Sequence, residues 1–188
     1  MQPLAIVIPY YRLAFFEATL ESLANQTNQR FRVYIGDDAS PENPLPLLEK
    51  YHQKIDFSYH RFEENLGRQS LVKQWERCLS LVEESFWVMI LGDDDLLGDY
   101  CVDEFYKHQS EFKTLNVVRF ASYIIDSKGE KQSDLFTHPK LEKSTHFLIR
   151  KFSGETRSSL GEYVFNKVTL QANGFRDFPL AWHSDEMA

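Results

Sequence analysis

Short apolar runs and helix-spaced apolar stripes take turns along the first half of the chain. Residues 4–8 (Leu-Ala-Ile-Val-Ile) are almost wholly apolar and end at Pro9, which reads as a buried parallel strand. Phe16, Leu20, Leu23 and Ala24 then recur on one face of a helix, which residues 25–28 (Asn-Gln-Thr-Asn) end. Residues 31–35 repeat the strand pattern and run into Gly36-Asp37-Asp38-Ala39-Ser40-Pro41. Prolines at 41, 44 and 46 leave room for only a short helix, over residues 47–52. Residues 56–62 alternate weakly, as a third strand, and residues 63–68 turn. Leu71, Trp75, Cys78, Leu79 and Val82 form a strong helical stripe, and residues 86–91 (Phe-Trp-Val-Met-Ile-Leu) make a fourth strand. The order β-α-β-α-β-α-β predicts an α/β fold: a mostly parallel sheet between helices, with right-handed crossovers.

The second half is less regular. A helix is expected over residues 99–112, a strand over 116–125 and a turn at 126–130 with Gly129 left-handed. Residues 130–145 are polar and read as a mobile loop. A helix over 144–152, a short strand over 162–165 and a helix over 166–173 closed by Gly174 follow. The sheet is expected to become mixed here. Ser184 has the character of a helix N-cap, followed by the acids Asp185 and Glu186. That helix has almost no length left, so the expectation is a truncated sequence or a domain fragment.

The fourth strand breaks at Gly92, and Asp93, Asp94 and Asp95 emerge together behind it. In an open α/β sheet the carboxyl ends of the strands are where ligands bind. Two adjacent carboxylates roughly 4 Å apart repel by about 4 kcal/mol at an effective dielectric near 20. A cation relieves that repulsion, and an all-oxygen donor set favours Mg2+, Mn2+ or Ca2+ over zinc. Asp also caps helices and starts turns, so one of the three can cap while the others coordinate. The second strand repeats the arrangement with Asp37 and Asp38.

Length and charge narrow the picture. At 188 residues, a single domain with a real core is expected, and 15 Phe, 9 Tyr and 3 Trp argue against disorder. A net charge of −7 and no basic run point away from nucleic acid. No stretch is long and apolar enough to cross a bilayer, and none resembles a signal peptide, while peripheral membrane contact stays open. Cys78 and Cys101 are far apart and form no zinc or redox motif, so a reducing, cytoplasmic setting is the default.

Four features together resemble glycosyltransferase family 2, the inverting enzymes with a GT-A fold. They are the first strand leading into Pro9-Tyr10-Tyr11; Gln26-Thr27 with the second strand and Asp37-Asp38-Ala39-Ser40; Asn65-Leu66-Gly67 opening a helix; and Gly92-Asp93-Asp94-Asp95, similar to the family's DXD-type motif. The likeness covers nearly the whole chain and is strongest over residues 3–100. It implies a nucleotide-sugar half over residues 1–98 and an incomplete acceptor-side half over 99–188. Pro9, with Tyr10 or Tyr11, would line the nucleotide pocket, and Asp38 would accept a hydrogen bond from the base. Asp93 would meet the ribose or a metal-bound water. Asp94 would hold the cation, Mn2+ or Mg2+, that bridges the diphosphate, with Asp95 completing its shell or capping the next turn. Where many members carry Asp-x-Asp-Asp, this chain has Gly92 in place of the first Asp.

The resemblance also implies a general base at Asp185, with Glu186 as the neighbour that could take the role. Both acids equally suit a helix N-terminus. Trp182 suits a sugar platform or a core position. Arg68 and Lys73 are candidates for the diphosphate, or solvated side chains. The implied donor is a nucleotide-diphosphate sugar, UDP being favoured, and the implied acceptor is a cell-surface polysaccharide or lipid-linked glycan. Competing readings are a metal-dependent nucleotidyltransferase or phosphohydrolase, a nucleotide-sugar-binding module without turnover, and an interaction domain whose acids are caps. The P-loop and dinucleotide fingerprints are both absent.

Overall fold

The computed structural model describes residues 4–83 and 85–185. Six strands form one sheet in the order β3-β2-β1-β4-β6-β5. β1 (Leu4–Tyr10), β2 (Phe31–Asp37), β3 (Phe57–Arg61) and β4 (Trp87–Ile90) run parallel. β6 (Tyr163–Asn166) runs antiparallel to β4 and to β5 (Val117–Arg119), so the sheet becomes mixed where the pattern predicted.

β1 is buried on both faces and its side chains alternate between two cores. Leu4, Ile6, Ile8 and Tyr10 join Phe16, Leu20 and Leu23 of α1 (Phe16–Ala24), Leu47, Leu48 and Tyr51 of α2 (Leu45–Tyr51), and Val102 and Phe105 of α4 (Cys101–His108). Ala5 and Val7 face the other way, towards Val72 and Cys78 of α3 (Leu71–Leu79) and Leu170 of α6 (Lys167–Asn173). The period of two along a central strand is thus what divides the helices into two layers. α5 (Ser144–Phe152) packs mainly through Phe147. α6 opens on Asn166, whose side chain accepts from the N–H groups of Val168 and Thr169, and closes at Gly174 with φ 66°. No described helix is long and apolar enough to cross a membrane.

Three expectations shift. In α3 only the first turn of the assigned stripe shifts: Leu71 is exposed and Val72 and Gln74 are buried instead, while Cys78 is buried and Trp75 and Leu79 pack against the core as expected. Gln74 can turn inward because its Nε2 donates to the Gly36 carbonyl, which satisfies a buried polar group. The strand expected over 116–125 shrinks to Val117–Arg119. Beyond it only isolated bridges remain, Ser122 with Phe136 and Ile125 with Lys131, and they draw residues 120–136, with the first part of the 130–145 stretch expected as a loop, into a narrow hairpin. Tyr123 and Ile124 stay exposed because no sheet neighbour covers them at that edge. α4 ends at His108, four residues before the expected limit.

The chain runs from β1 outward to β3, then returns across β1 to β4. The order therefore reverses between β1 and β4. In a parallel sheet this reversal opens a crevice at the carboxyl ends of the two strands, because the flanking crossovers leave in opposite directions.

Candidate active site at the carboxyl ends of β1 and β4

Three loops meet at this crevice and are tied into one body by carboxylates. Asp93, just past β4, accepts from the backbone N–H groups of Tyr11 and Arg12, both at 2.7 Å through Oδ2. Ser40, past β2, donates its hydroxyl to the Tyr11 carbonyl at 2.6 Å. Glu42 accepts from the Leu13 N–H at 2.6 Å. Burial pushes the Asp93 carboxyl above the usual carboxylate range, against the two N–H donors that favour its charged form.

Asp94 is exposed and Asp95 half-buried. A Cβ added to Gly92 would lie 2.9 Å from Asp94 Oδ1 and 2.9 Å from Asp95 Oδ2. The two carboxylates therefore converge on the space that the missing side chain leaves. The glycine that replaces the expected first acid has a steric reason: a side chain here would fill the cradle. Asp95 also takes a 3.3 Å bond from the Gly92 N–H. Its carboxyl is pushed up by burial and by the Asp94 charge, with Arg157 acting the other way. Among the described residues no three His, Cys, Asp or Glu side chains make a ready metal cage. Two carboxylates still fit a magnesium-like ion, which takes one or two protein ligands and completes its shell with phosphate and water.

The other expected residues fall as follows. Pro9 is half-buried at the end of β1. Tyr10 is fully buried: its ring packs 4.7 Å from Phe16, and its hydroxyl donates to the Glu42 carbonyl at 3.0 Å. Tyr11, not Tyr10, reaches the surface. Asp38 is buried and already well supplied with donors: Leu66 N–H at 2.7 Å, Gly67 N–H at 2.9 Å and the Arg77 guanidinium. It holds the Asn65-Leu66-Gly67 turn against the end of β2. Arg68 and Lys73 lie exposed beside that turn, and their backbone N–H groups are capped by Asn65 Oδ1 and Ser70 Oγ. Asp37 is also buried, bonded by Tyr59 at 2.6 Å and Arg61 at 2.7 Å.

Asp185 is half-buried, and burial raises its pKa, with Lys151 and His183 pulling it back and Glu162 pushing it up. Leu180, Ala181 and His183 take left-handed backbone, at φ 57°, 56° and 65°. Such conformations are costly for residues with a Cβ and gather at functional sites. Trp182 is 70% exposed, which removes the core reading for it. Ser184 is buried and its hydroxyl has no hydrogen-bond partner among the described residues. Glu186 lies outside the described residues, as does the helix expected after Ser184. Two basic residues escaped the sequence reading. Arg77 pairs with Asp38 from 39 positions away, and Arg157, whose charge reaches Asp95, comes from the other half of the chain. Neither carries a local motif.

The mixed α/β sheet, parallel in its first half and flanked by helices, has the architecture of the GT-A fold. The family model for glycosyl transferase family 2 matches residues 5–168, and the chain belongs to that family. Chondroitin synthase of Pasteurella multocida is 45% identical over 60 residues, which is 31% of this chain and 6% of that protein. TarS of S. aureus, solved in complex with UDP-GlcNAc, superposes with a TM-score of 0.69 at 21% identity, covering 93% of this chain and 49% of that one. The mannosyltransferase PcManGT of Pyrobaculum calidifontis, solved with GDP-Man and Mn2+, gives 0.63 at 15% identity, covering 98% of this chain and 49% of that one. The chain spans less than half the length of the curated relatives it matches.

Proposed function

We propose that this chain transfers a sugar from a nucleotide-diphosphate sugar, UDP-linked by preference, to an acceptor hydroxyl with inversion. The observation that carries the reading is the convergence of Asp94 and Asp95 on the Gly92 cradle, beside a loop that Asp93 clamps. Family membership and the donors bound by TarS and PcManGT support it.

In this reading residues 1–98 hold the donor and residues 99–185 face the acceptor. Tyr11 flanks the base or ribose, with Pro9 behind it. Asp38 holds the 65–67 turn and offers its remaining lone-pair site to the base. Arg68 and Lys73 reach the diphosphate. Asp94 and Asp95 hold Mn2+ or Mg2+, which when bound supplies positive charge to the departing nucleoside diphosphate. Asp185 removes the proton of the attacking hydroxyl as general base, and its burial suits it to accept one. Attack from the face opposite the leaving group inverts the anomeric carbon in one displacement. Exposed Trp182 is a platform for the acceptor sugar, in the synthesis of a cell-surface polysaccharide or lipid-linked glycan on the cytoplasmic side.

Calorimetric titration of UDP, GDP, dTDP and CDP, each with and without Mn2+, tests the reading on this chain and on Asp94→Ala. The expected result is Mn2+-dependent binding of UDP that Asp94→Ala abolishes. A folded chain that binds none of the four nucleotides would refute the assigned site. Binding without sugar transfer to any offered glycan would leave a nucleotide-sugar-binding module.

A further inference from the structure

Outside the residues assigned above, one carboxylate is almost completely buried. The Glu162 side chain is 1% exposed. It sits at the end of a 3-10 turn, Leu160–Glu162, immediately before β6. Oε1 accepts from Arg119 at 2.8 Å and from the Ser159 N–H at 2.9 Å. Oε2 accepts from the Ser122 hydroxyl at 2.9 Å and faces His138 Nε2 at 3.6 Å. Its backbone carbonyl takes the Phe120 N–H at 2.8 Å. Burial alone would raise this carboxyl, but His138, Arg119 and the Ser159 N–H outweigh it and hold it below the usual range.

That network gathers the end of β5, the 120–136 hairpin and the 159–162 turn around one charge. The turn has a second face. A Cβ on Gly161 would stand 3.0 Å from Asp95 Oδ2, 3.6 Å from Asp95 Cγ and 3.7 Å from the Leu91 side chain. The Gly161 backbone is therefore the wall against which the Asp95 carboxylate rests.

We infer that Glu162 is a positioning residue of the cation site: it locks the 159–162 turn so that Gly161 holds the Asp95 carboxylate at the Gly92 cradle beside Asp94. The inference rests on the reading of Asp94 and Asp95 as cation ligands. It links the acceptor-side half to the donor-side acids through one turn. Groups that orient a metal ligand weaken binding by about 10–100-fold when removed.

The test is calorimetric titration of Mn2+ into the UDP-saturated chain, with thermal melting in parallel, on the wild type, Glu162→Gln, Gly161→Ala and Leu170→Ala. Leu170 is a core residue of α6 outside the Glu162 network and serves as a control for loss of stability alone. Expected are Mn2+ affinities about 10–100-fold weaker in Glu162→Gln and Gly161→Ala, and an unchanged affinity in Leu170→Ala despite its lower melting temperature. Glu162→Gln that melts earlier yet binds Mn2+ like the wild type overturns the inference. Should Glu162→Gln not fold, Gly161→Ala decides, because it keeps Glu162 and all its donors; wild-type affinity there overturns the inference equally. A wild type that binds UDP but no Mn2+ refutes the cation reading itself, and with it the role of Glu162.

Discussion

Three adjacent aspartates carry three different loads. Asp93 is tied to two backbone N–H groups, Asp95 rests on Gly161, and Asp94 is exposed and accepts no hydrogen bond among the described residues. Asp94→Ala should therefore change stability by no more than about 0.5 kcal/mol while abolishing Mn2+-dependent nucleotide binding; melting and calorimetry on one sample check both. Asp93→Ala should cost about 1–3 kcal/mol, since it leaves two aligned N–H groups without their acceptor; urea unfolding measures it. The family resemblance assigns each of the three a role, but the contacts that hold each one are not legible in the sequence. The partners of Asp93 are 81 and 82 positions away, and only folding brings the loop after β1 against the loop after β4. The same holds for Asp38. Its place after a strand is legible, whereas its bonds to Leu66, Gly67 and Arg77 are tertiary.

Among the elements, close approach governs where helices sit. A Cβ on Gly36 would lie 2.3 Å from Cys78 Sγ, so α3 seats directly on β2 through this glycine. Gly36→Ala should destabilise by about 1–3 kcal/mol through overpacking, seen as a lower urea midpoint with an unchanged slope. The same contact buries Cys78 completely, and burial pushes its thiol up to about 12. The thiolate is the reactive form. Iodoacetamide at neutral pH should therefore leave Cys78 unmodified in the native chain and label it on unfolding, as mass spectrometry of the peptides would show. Apolar periodicity locates α3 and most of its buried face but misses Gln74, which is polar and still turns inward to the Gly36 carbonyl. Strands with neighbours on both sides were legible for the opposite reason. β1 and β4 are almost wholly apolar because core lies on both of their faces. At the sheet edge, residues 120–125 carry strand-like side chains with no strand to pair with for most of their length, so their pattern overstates the strand.

For the molecule as a whole, the proposed reaction needs donor-side acids from one half and the base Asp185 from the other. Asp185 is active only when ionised, and burial raises its pKa. The acidic limb of the kcat/KM profile should therefore lie above the ordinary aspartate value of about 3.9. Asp185→Asn should remove that limb and lower turnover by about 10²–10⁴-fold; initial rates across pH test both. The stability sign is opposite to that of a salt-bridged acid. The native chain holds this proton more tightly than the unfolded one, so the group costs stability above its folded pKa, and that cost falls away as pH drops through it. The local apolar pattern, Gly92 and the aspartates behind two strands sufficed by themselves to determine the α/β class, the parallel first half and the sheet edge at which the proposed site lies. Those depend on periodicity and on chain breaks, which are properties of neighbouring residues. Only the tertiary structure decided that Tyr11 rather than Tyr10 is exposed, that Asp38 is clamped, that Asp94 and Asp95 converge at Gly92, and that Gly161 lies against Asp95. Each of these rests on contacts between segments tens of residues apart, and which partner a buried polar group finds is settled by packing, not by its neighbours in sequence.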